Sequence, residues 1–161
     1  QKARKEQKTP LVRLNGTSDI FWETKSLIIQ KEVGEKVGVP PVWYPNLMAV
    51  FPRIQFYDYT KIASRDSLPE NYDLTFSYSG VERYQNQVQK AIEKGMRMAV
   101  VFRDKKNIPT SFMGKPVVNG DETDLRHLDP PGVIVSLYAK GKAVKDETGF
   151  VVDVDQTEKT G

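Results

Sequence analysis

The 161-residue sequence contains no cysteine and a single histidine. Disulfides, thiolate zinc sites, cysteine-held iron–sulfur clusters and cysteine nucleophiles are therefore excluded on this chain. No apolar run approaches the roughly 18 residues of a membrane span, and the start lacks the charged-then-apolar order of a signal peptide. A soluble, cytoplasmic protein with no membrane partner is the expectation. Because the chain begins with Gln1 rather than Met, a processed or excised piece of something longer is expected as well. Excess charge is also scarce. Lys and Arg number 24 against 21 Asp and Glu, a net charge of +3. Lys2, Arg4, Lys5 and Lys8 against Glu6 account for all of it, so the body is neutral and global basicity gives no argument for nucleic acid.

What is present suffices for a core. Hydrophobic residues make up 39% and aromatics 10%, and a chain of about 150 residues buries roughly 68–70% of its unfolded surface. The expected organisation is a basic polar head over residues 1–10, one α/β domain over 11–152, and a polar tail over 153–161 that frays.

Leu11-Val12-Arg13-Leu14 predicts a short strand running into a loop at 15–19. Leu27, Ile28, Ile29 and Val33 fit one helical face, with Gly34 and Gly38 interrupting its continuation. Pro40, Pro41 and Pro45 make 38–45 a loop, and Pro45 opens a short helix carrying Leu47, Met48 and Phe51. Strands follow at 54–59 and 73–77. Gly80 then opens a helix with Val81, Tyr84, Val88, Ala91 and Ile92 at helical spacing, Ser79 its N-cap and Gly95 its stop. Residues 96–102 are apolar at nearly every position, as in a strand buried on both faces, and complete a βαβ unit. The long polar stretch 103–131 is expected to be functional, with a small hairpin arm at Val117-Val118 and a helical turn at 123–128. A last buried strand spans 132–137. The fold class is α/β, with a mainly parallel sheet of about five strands, as a partial (β/α) barrel or an open sheet, because a complete barrel takes roughly 250 residues.

Every predicted strand ends in polar side chains: Arg13 and Asn15, then Asp58, Thr60 and Lys61, then Ser77 and Ser79, then Arg103 and Asp104, and finally Lys140. In parallel α/β folds these ends share one rim, where ligands bind. Arg13, Asn15, Lys61, Ser77 and Lys140 are the candidate ligand-binding residues, and Asp58 and Asp19 the candidate acid–base or orienting carboxylates. Alternation puts Phe56 and Asp58 on one face and Tyr57 and Tyr59 on the other. An inward carboxylate needs a partner, with Lys61, Arg13 or Lys140 available, so a buried structural pair accounts for Asp58 as well as catalysis does.

Residues 119–127 hold three carboxylates and the histidine, donors that suit a divalent cation. They match no EF-hand or zincin spacing, so a turn followed by a capped helical turn is the simpler account and no metal site is assigned. His127 has no evident orienting partner for a general base, and Arg126 is expected to pair with Asp124 or Asp129 on the surface. Ser77-Tyr78-Ser79-Gly80 lacks the lysine and spaced glycines of a phosphate loop. Basic residues at 103–106 and 140–145, with Tyr57, Tyr59, Tyr78 and Tyr138, have the makings of a nucleic-acid surface, but carboxylates are interleaved throughout.

Four phrases recur in order in one family: Val12-Arg13-Leu14-Asn15-Gly16-Thr17-Ser18-Asp19-Ile20 with Trp22-Glu23; Phe56-Tyr57-Asp58-Tyr59-Thr60-Lys61; Asn119-Gly120-Asp121-Glu122-Thr123-Asp124-Leu125-Arg126; and Gly132-Val133-Ile134-Val135 through Ala139-Lys140-Gly141. On these the chain resembles a family of uncharacterised proteins of bacteriophages and other mobile elements, across most of residues 11–152. The resemblance implies longer members with an upstream cysteine-containing segment, a layout like a partial radical-SAM barrel, and a location in the host cytoplasm. It brings no activity, cofactor or catalytic residue, and the cysteine segment is absent from this chain. The leading expectation is an enzyme-like phage protein binding a small anionic or nucleotide-like ligand at the C-terminal rim of its strands, with residues 121–127 as a cover. The alternatives are a non-catalytic nucleic-acid-binding accessory protein and a structural or assembly module.

Overall fold

The computed structural model describes residues 8–123 and 125–154. Lys2, Arg4, Lys5 and Glu6 of the basic head, Asp124, and residues 155–161 of the polar tail lie outside the described residues. Packing groups the chain into two compact units. The first comprises Gln1–Asp58 and Arg65–Asp73, the second Tyr59–Ser64 and Leu74–Gly161.

In the first unit β1 (Leu11–Arg13) runs parallel to β4 (Gln55–Thr60), in the register Val12 to Phe56 and Arg13 to Tyr57. Phe56 and Asp58 are both buried, as alternation requires. Between these strands lie β2 (Leu27–Ile28), α1 (Lys31–Val37), β3 (Trp43–Tyr44) and α2 (Leu47–Val50), with β2 and β3 paired antiparallel. The loop expected over 38–45 thus contains a strand. Gly34 does not interrupt the helix: it lies inside α1, where a Cβ would come 2.6 Å from the Val39 carbonyl oxygen. The helix stops at Gly38, in the left-handed conformation with φ 73°. Asn46 rather than Pro45 opens α2, its side-chain oxygen accepting from Ala49 N at 2.9 Å. Asn71 Nδ2 then donates to the carbonyls of Met48, Phe51 and Ile54, fixing the turn into β4.

The second unit holds the end of β5 (Tyr72–Ser77), then α3 (Gln85–Glu93), β6 (Met98–Phe102), β7 (Ser111–Phe112), β8 (Lys115–Asn119), β9 (Ile134–Tyr138) and β10 (Val151–Val152). Pairing follows the path β5-β6-β9-β8-β7, parallel except for the β7–β8 hairpin. Its core is Phe76, Val88, Ala91, Met98, Val100, Phe102 and Ile134, with Ala63. As expected of an inner strand, β6 is buried on both faces. It pairs with β9 along its whole length, so its other edge is divided: β5 takes Met98 and Ala99, and β10 takes Val101 and Phe102.

The expected α/β class with mainly parallel strands is present; the five expected strands are β1, β4, β5, β6 and β9, and β7, β8 and β10 add to them, so the strand count exceeds the five expected. The hairpin arm at Val117-Val118 is β7–β8, and β8 goes on to pair with β9. The path in the second unit is linear, and nothing in it supports a partial barrel. The helix after β5 begins later than expected. A 3-10 turn at Glu82–Tyr84 precedes α3, and Ser79 Oγ accepts from Val81 N at 3.4 Å without capping α3. Gly80 is engaged elsewhere: its N–H donates to the Gly149 carbonyl at 2.8 Å, and a Cβ would lie 2.7 Å from that oxygen.

Substitution Gly80→Ala forces two backbone segments apart. It is expected to destabilise the protein by about 1–3 kcal/mol in denaturant unfolding. Gly16→Ala, where nothing lies within 4 Å of the new methyl, should change stability by less than about 0.5 kcal/mol in the same measurement.

Candidate functional site

The first unit encloses a connected polar cluster. Asp58 is fully buried and accepts from Asn15 N at 2.7 Å, Asn15 Nδ2 at 3.1 Å and Tyr72 OH at 2.7 Å. Asn15 Oδ1 in turn accepts from Ser18 Oγ, Trp22 Nε1 and Ile20 N, so one side chain closes the loop that follows β1. Tyr72 OH also accepts from Arg65 Nη2 at 3.2 Å. The Arg65 guanidinium, itself buried, grips Glu23 with both prongs at 2.8 and 2.5 Å and reaches Asp19 at 3.1 Å. It lies 4.7 Å from the Phe21 ring centroid. The result is a relay of donors from Arg65 through Tyr72 to Asp58.

Burial pushes the Asp58 carboxyl above its ordinary range, against the pull of the Tyr72 and Asn15 donors and the charges of Arg13 and Arg65. Burial likewise raises the Tyr72 phenol, reinforced by its bond to Asp58. The Arg65 guanidinium is desolvated, but its Glu23 and Tyr72 contacts outweigh that and hold it charged.

In the second unit, polar groups collect where the parallel strands end. Gly120 follows β8 and packs tightly: a Cβ there would lie 2.3 Å from Val135 and 2.6 Å from Arg126 Nη1. This close turn presents Asp121, whose Oδ2 accepts from Tyr138 N at 2.9 Å, extending the edge of β9 with a side chain. Asp121 Oδ1 accepts from Lys140 Nζ at 2.7 Å and keeps that ammonium group charged. Lys140 Nζ lies 4.2 Å from the Tyr138 ring centroid and Lys105 Nζ 4.7 Å from the same centroid. A cavity of about 270 Å³ opens here, lined by Lys105, Ile108, Pro109, Val117, Asn119 and Asp121 among others.

Two further groups in this unit are tied down. Lys61 Nζ donates to Ser77 O and Oγ at 3.3 and 3.4 Å and faces the Tyr84 and Phe150 rings. Arg103 clamps the returning tail through Asp153 and the carbonyls of Val144 and Asp146.

The structure thus distributes the residues singled out above among three places. Arg13, Asn15, Asp19 and Asp58 belong to the cluster of the first unit, Arg13 through Nε to the Asn15 carbonyl at 2.8 Å. Lys61 and Ser77 meet each other, and Lys140 meets Asp121. Of the three cations expected to partner Asp58, Arg13 acts on it through its charge, as Arg65 also does, whereas the direct donors are the neutral Asn15 and Tyr72, and Lys61 and Lys140 bond to Ser77 and Asp121. Arg126 is buried, not on the surface: it donates to the carbonyls of Gly120 and Thr123, with Asp129 at 3.2 Å. No group of three His, Asp or Glu side chains is placed to hold a metal among the described residues, and His127 Nδ1 is buried without a hydrogen-bond partner there. Arg65, Tyr72 and Glu23, the centre of the first cluster, carry no local signal, since their partners lie far away in sequence.

A family model described as gene product 88 matches residues 1–154. No curated protein and no solved structure matches the chain.

Two substitutions test the first cluster. Arg65→Ala strands the buried Glu23 carboxylate and is expected to cost about 3–5 kcal/mol of unfolding free energy. Tyr72→Phe should cost about 1–2 kcal/mol. Because the phenol holds the Asp58 pKa down, its loss should move the Asp58 carboxyl titration, followed by carbon NMR, further upward.

Proposed function

Given that the chain belongs to the gene product 88 family, whose description names no activity, we propose that it binds a small phosphate-bearing, nucleotide-like ligand at the C-terminal ends of β8 and β9. In this reading it serves a bacteriophage or mobile element in the host cytoplasm. The observation that carries the proposal is the meeting of Lys105 and Lys140 on one tyrosine ring, next to a cavity that Lys105 and Asp121 line. Parallel strand ends are where α/β proteins take their ligands, and cationic side chains beside an aromatic ring suit an anion attached to a flat ring.

The parts divide the work. Lys105 and Lys140 face the anionic group, and Ile108, Pro109 and Val117 receive the less polar part. Asp121 holds Lys140 in place and lowers the charge of the site to about +1, which favours a compact anion over a long polyanion. The cavity is slightly below the 300–1,000 Å³ usual for drug-sized ligands, so a mononucleotide-sized molecule is the upper bound. Asp58 and Asp19 take a framework role in this reading, since Asp58 has no exposed surface and both its oxygens are engaged.

In a thermal-shift and calorimetric screen, inorganic phosphate and nucleoside monophosphates should raise the melting temperature of the wild type, and more than nucleoside di- and triphosphates do, because a ligand selective for the native state stabilises it. Lys140→Ala and Lys105→Ala should each weaken binding by about tenfold, at unchanged unfolding free energy. No stabilisation by any phosphorylated probe overturns the reading. A steep salt dependence with single-stranded oligonucleotides, and none of these small-molecule effects, favours the accessory nucleic-acid binder instead.

A further inference from the structure

Away from both clusters, the first unit carries a run of apolar side chains turned to solvent. Ile28, Val33, Val37, Val42 and Trp43 are each between 48% and 66% exposed, and all fall within sixteen residues of sequence. Ile28 and Trp43 are direct cross-strand partners on β2 and β3, so they share a face of that two-stranded pair, opposite Leu27 and Tyr44. Val33 and Val37 lie one turn apart on α1. A groove of about 550 Å³ opens at Ile28, lined by Ile29, Gly34, Val39, Pro40 and Pro41 together with the polar and charged Gln30, Lys31 and Glu35. Concentrated exposed apolar surface of this kind marks an interaction site rather than ordinary surface composition.

We propose that the β2–α1–β3 segment is the surface through which two copies of this chain associate. The occupant follows from two kinds of self-complementarity. The first is charge. Helix α1 reads Lys31-Glu32-Val33-Gly34-Glu35-Lys36-Val37, with one cation and one anion towards each end. Glu32 and Lys36, one turn apart, flank the same side of the Val33–Val37 stripe. When two such helices cross antiparallel about a two-fold axis, Val33 of one faces Val37 of the partner subunit, and Glu32 of one faces Lys36 of the partner subunit, twice. Flanking charges set helix orientation in this way in coiled coils. A nucleic acid or anionic membrane finds no excess of positive charge on this helix.

The second is shape. An isologous contact needs projection and recess on the same patch. Trp43 is a projecting, rigid, largely apolar side chain of the type that anchors interfaces. The groove at Ile28 has apolar walls in Val39, Pro40, Pro41 and the isoleucines and a polar edge in Gln30, Lys31 and Glu35 that an indole N–H can meet, and it is large enough for an indole. Two copies related by a two-fold axis exchange one tryptophan each.

Sedimentation equilibrium and light scattering on the whole chain test this. The wild type is expected to dimerise at micromolar concentration, and Trp43→Lys, an exposed position whose change leaves the circular dichroism intact, to be monomeric. Glu32→Lys should weaken the dimer by about tenfold by setting like charges together, and the double variant Glu32→Lys with Lys36→Glu should restore it. A wild type that stays monomeric up to roughly 200 µM overturns the proposal. So does a dimer that survives both single variants, or a charge swap that fails to restore it. Phosphate and nucleotide binding by the monomeric variant is read separately, so failure here leaves the ligand site untouched.

Discussion

Arg65 carries a full positive charge with almost no water around it, and much of the first unit is arranged to answer that charge. Glu23 takes both prongs of the guanidinium, Asp19 takes a third nitrogen, and Phe21 covers the plane. A lysine has no equivalent geometry, because only a planar fork matches a carboxylate at two points while leaving donors for a phenol. Through Tyr72 the same group reaches Asp58, and through Asp58 the loop closed by Asn15. The turn after β1, the 3-10 turn at Trp22–Thr24 and the segment carrying Arg65 are therefore positioned by one ion and its neighbours. Removing any member leaves buried polar atoms behind, which is why such clusters fix conformation even where their net contribution to stability is modest.

The second unit solves a related problem with less charge. Asp121 replaces a missing strand neighbour for Tyr138 N, so a side chain continues a ladder that the backbone of β8 has left. That substitution depends on Gly120, which lets the chain turn hard against Val135 and Ser136. The same aspartate steadies Lys140. Local backbone economy and the electrostatics of the proposed ligand site therefore both depend on Asp121.

Much of the second unit was legible in the sequence. The apolar run of β6 admits no exposed face, and Val88, Ala91 and Ile92 followed by Gly95 define a helix with a stop. The inward direction of Asp58 also followed, from simple alternation. Its partners did not, because Tyr72 and Arg65 are joined to Asp58 and Glu23 only by folding, across a polar stretch with no periodicity. The two-residue strands β3 and β10 were invisible for a different reason, since two residues are too few to display a period, and for the same reason Leu27 and Ile28, which fit a helical face with Val33, form β2 instead. Gly80 misled, since a glycine before an amphipathic run signals a helix start, whereas this one is reserved for contact with Gly149. The meeting of Lys105 and Lys140 on Tyr138 likewise depends on how β9 and the turn at Lys105–Asn107 are placed.

The divided edge of β6 also bears on how the chain is made. Arg103 and the residue it clamps on the returning tail are fifty positions apart in sequence, and β10 is made after every other strand among the described residues. Until it emerges, Val101 and Phe102 present open backbone donors and acceptors on the most apolar strand of the unit. The nascent chain therefore passes through a stage in which its central strand is half sealed, a stage at which chaperone engagement or aberrant strand exchange is favoured. Arrival of two valines ends it.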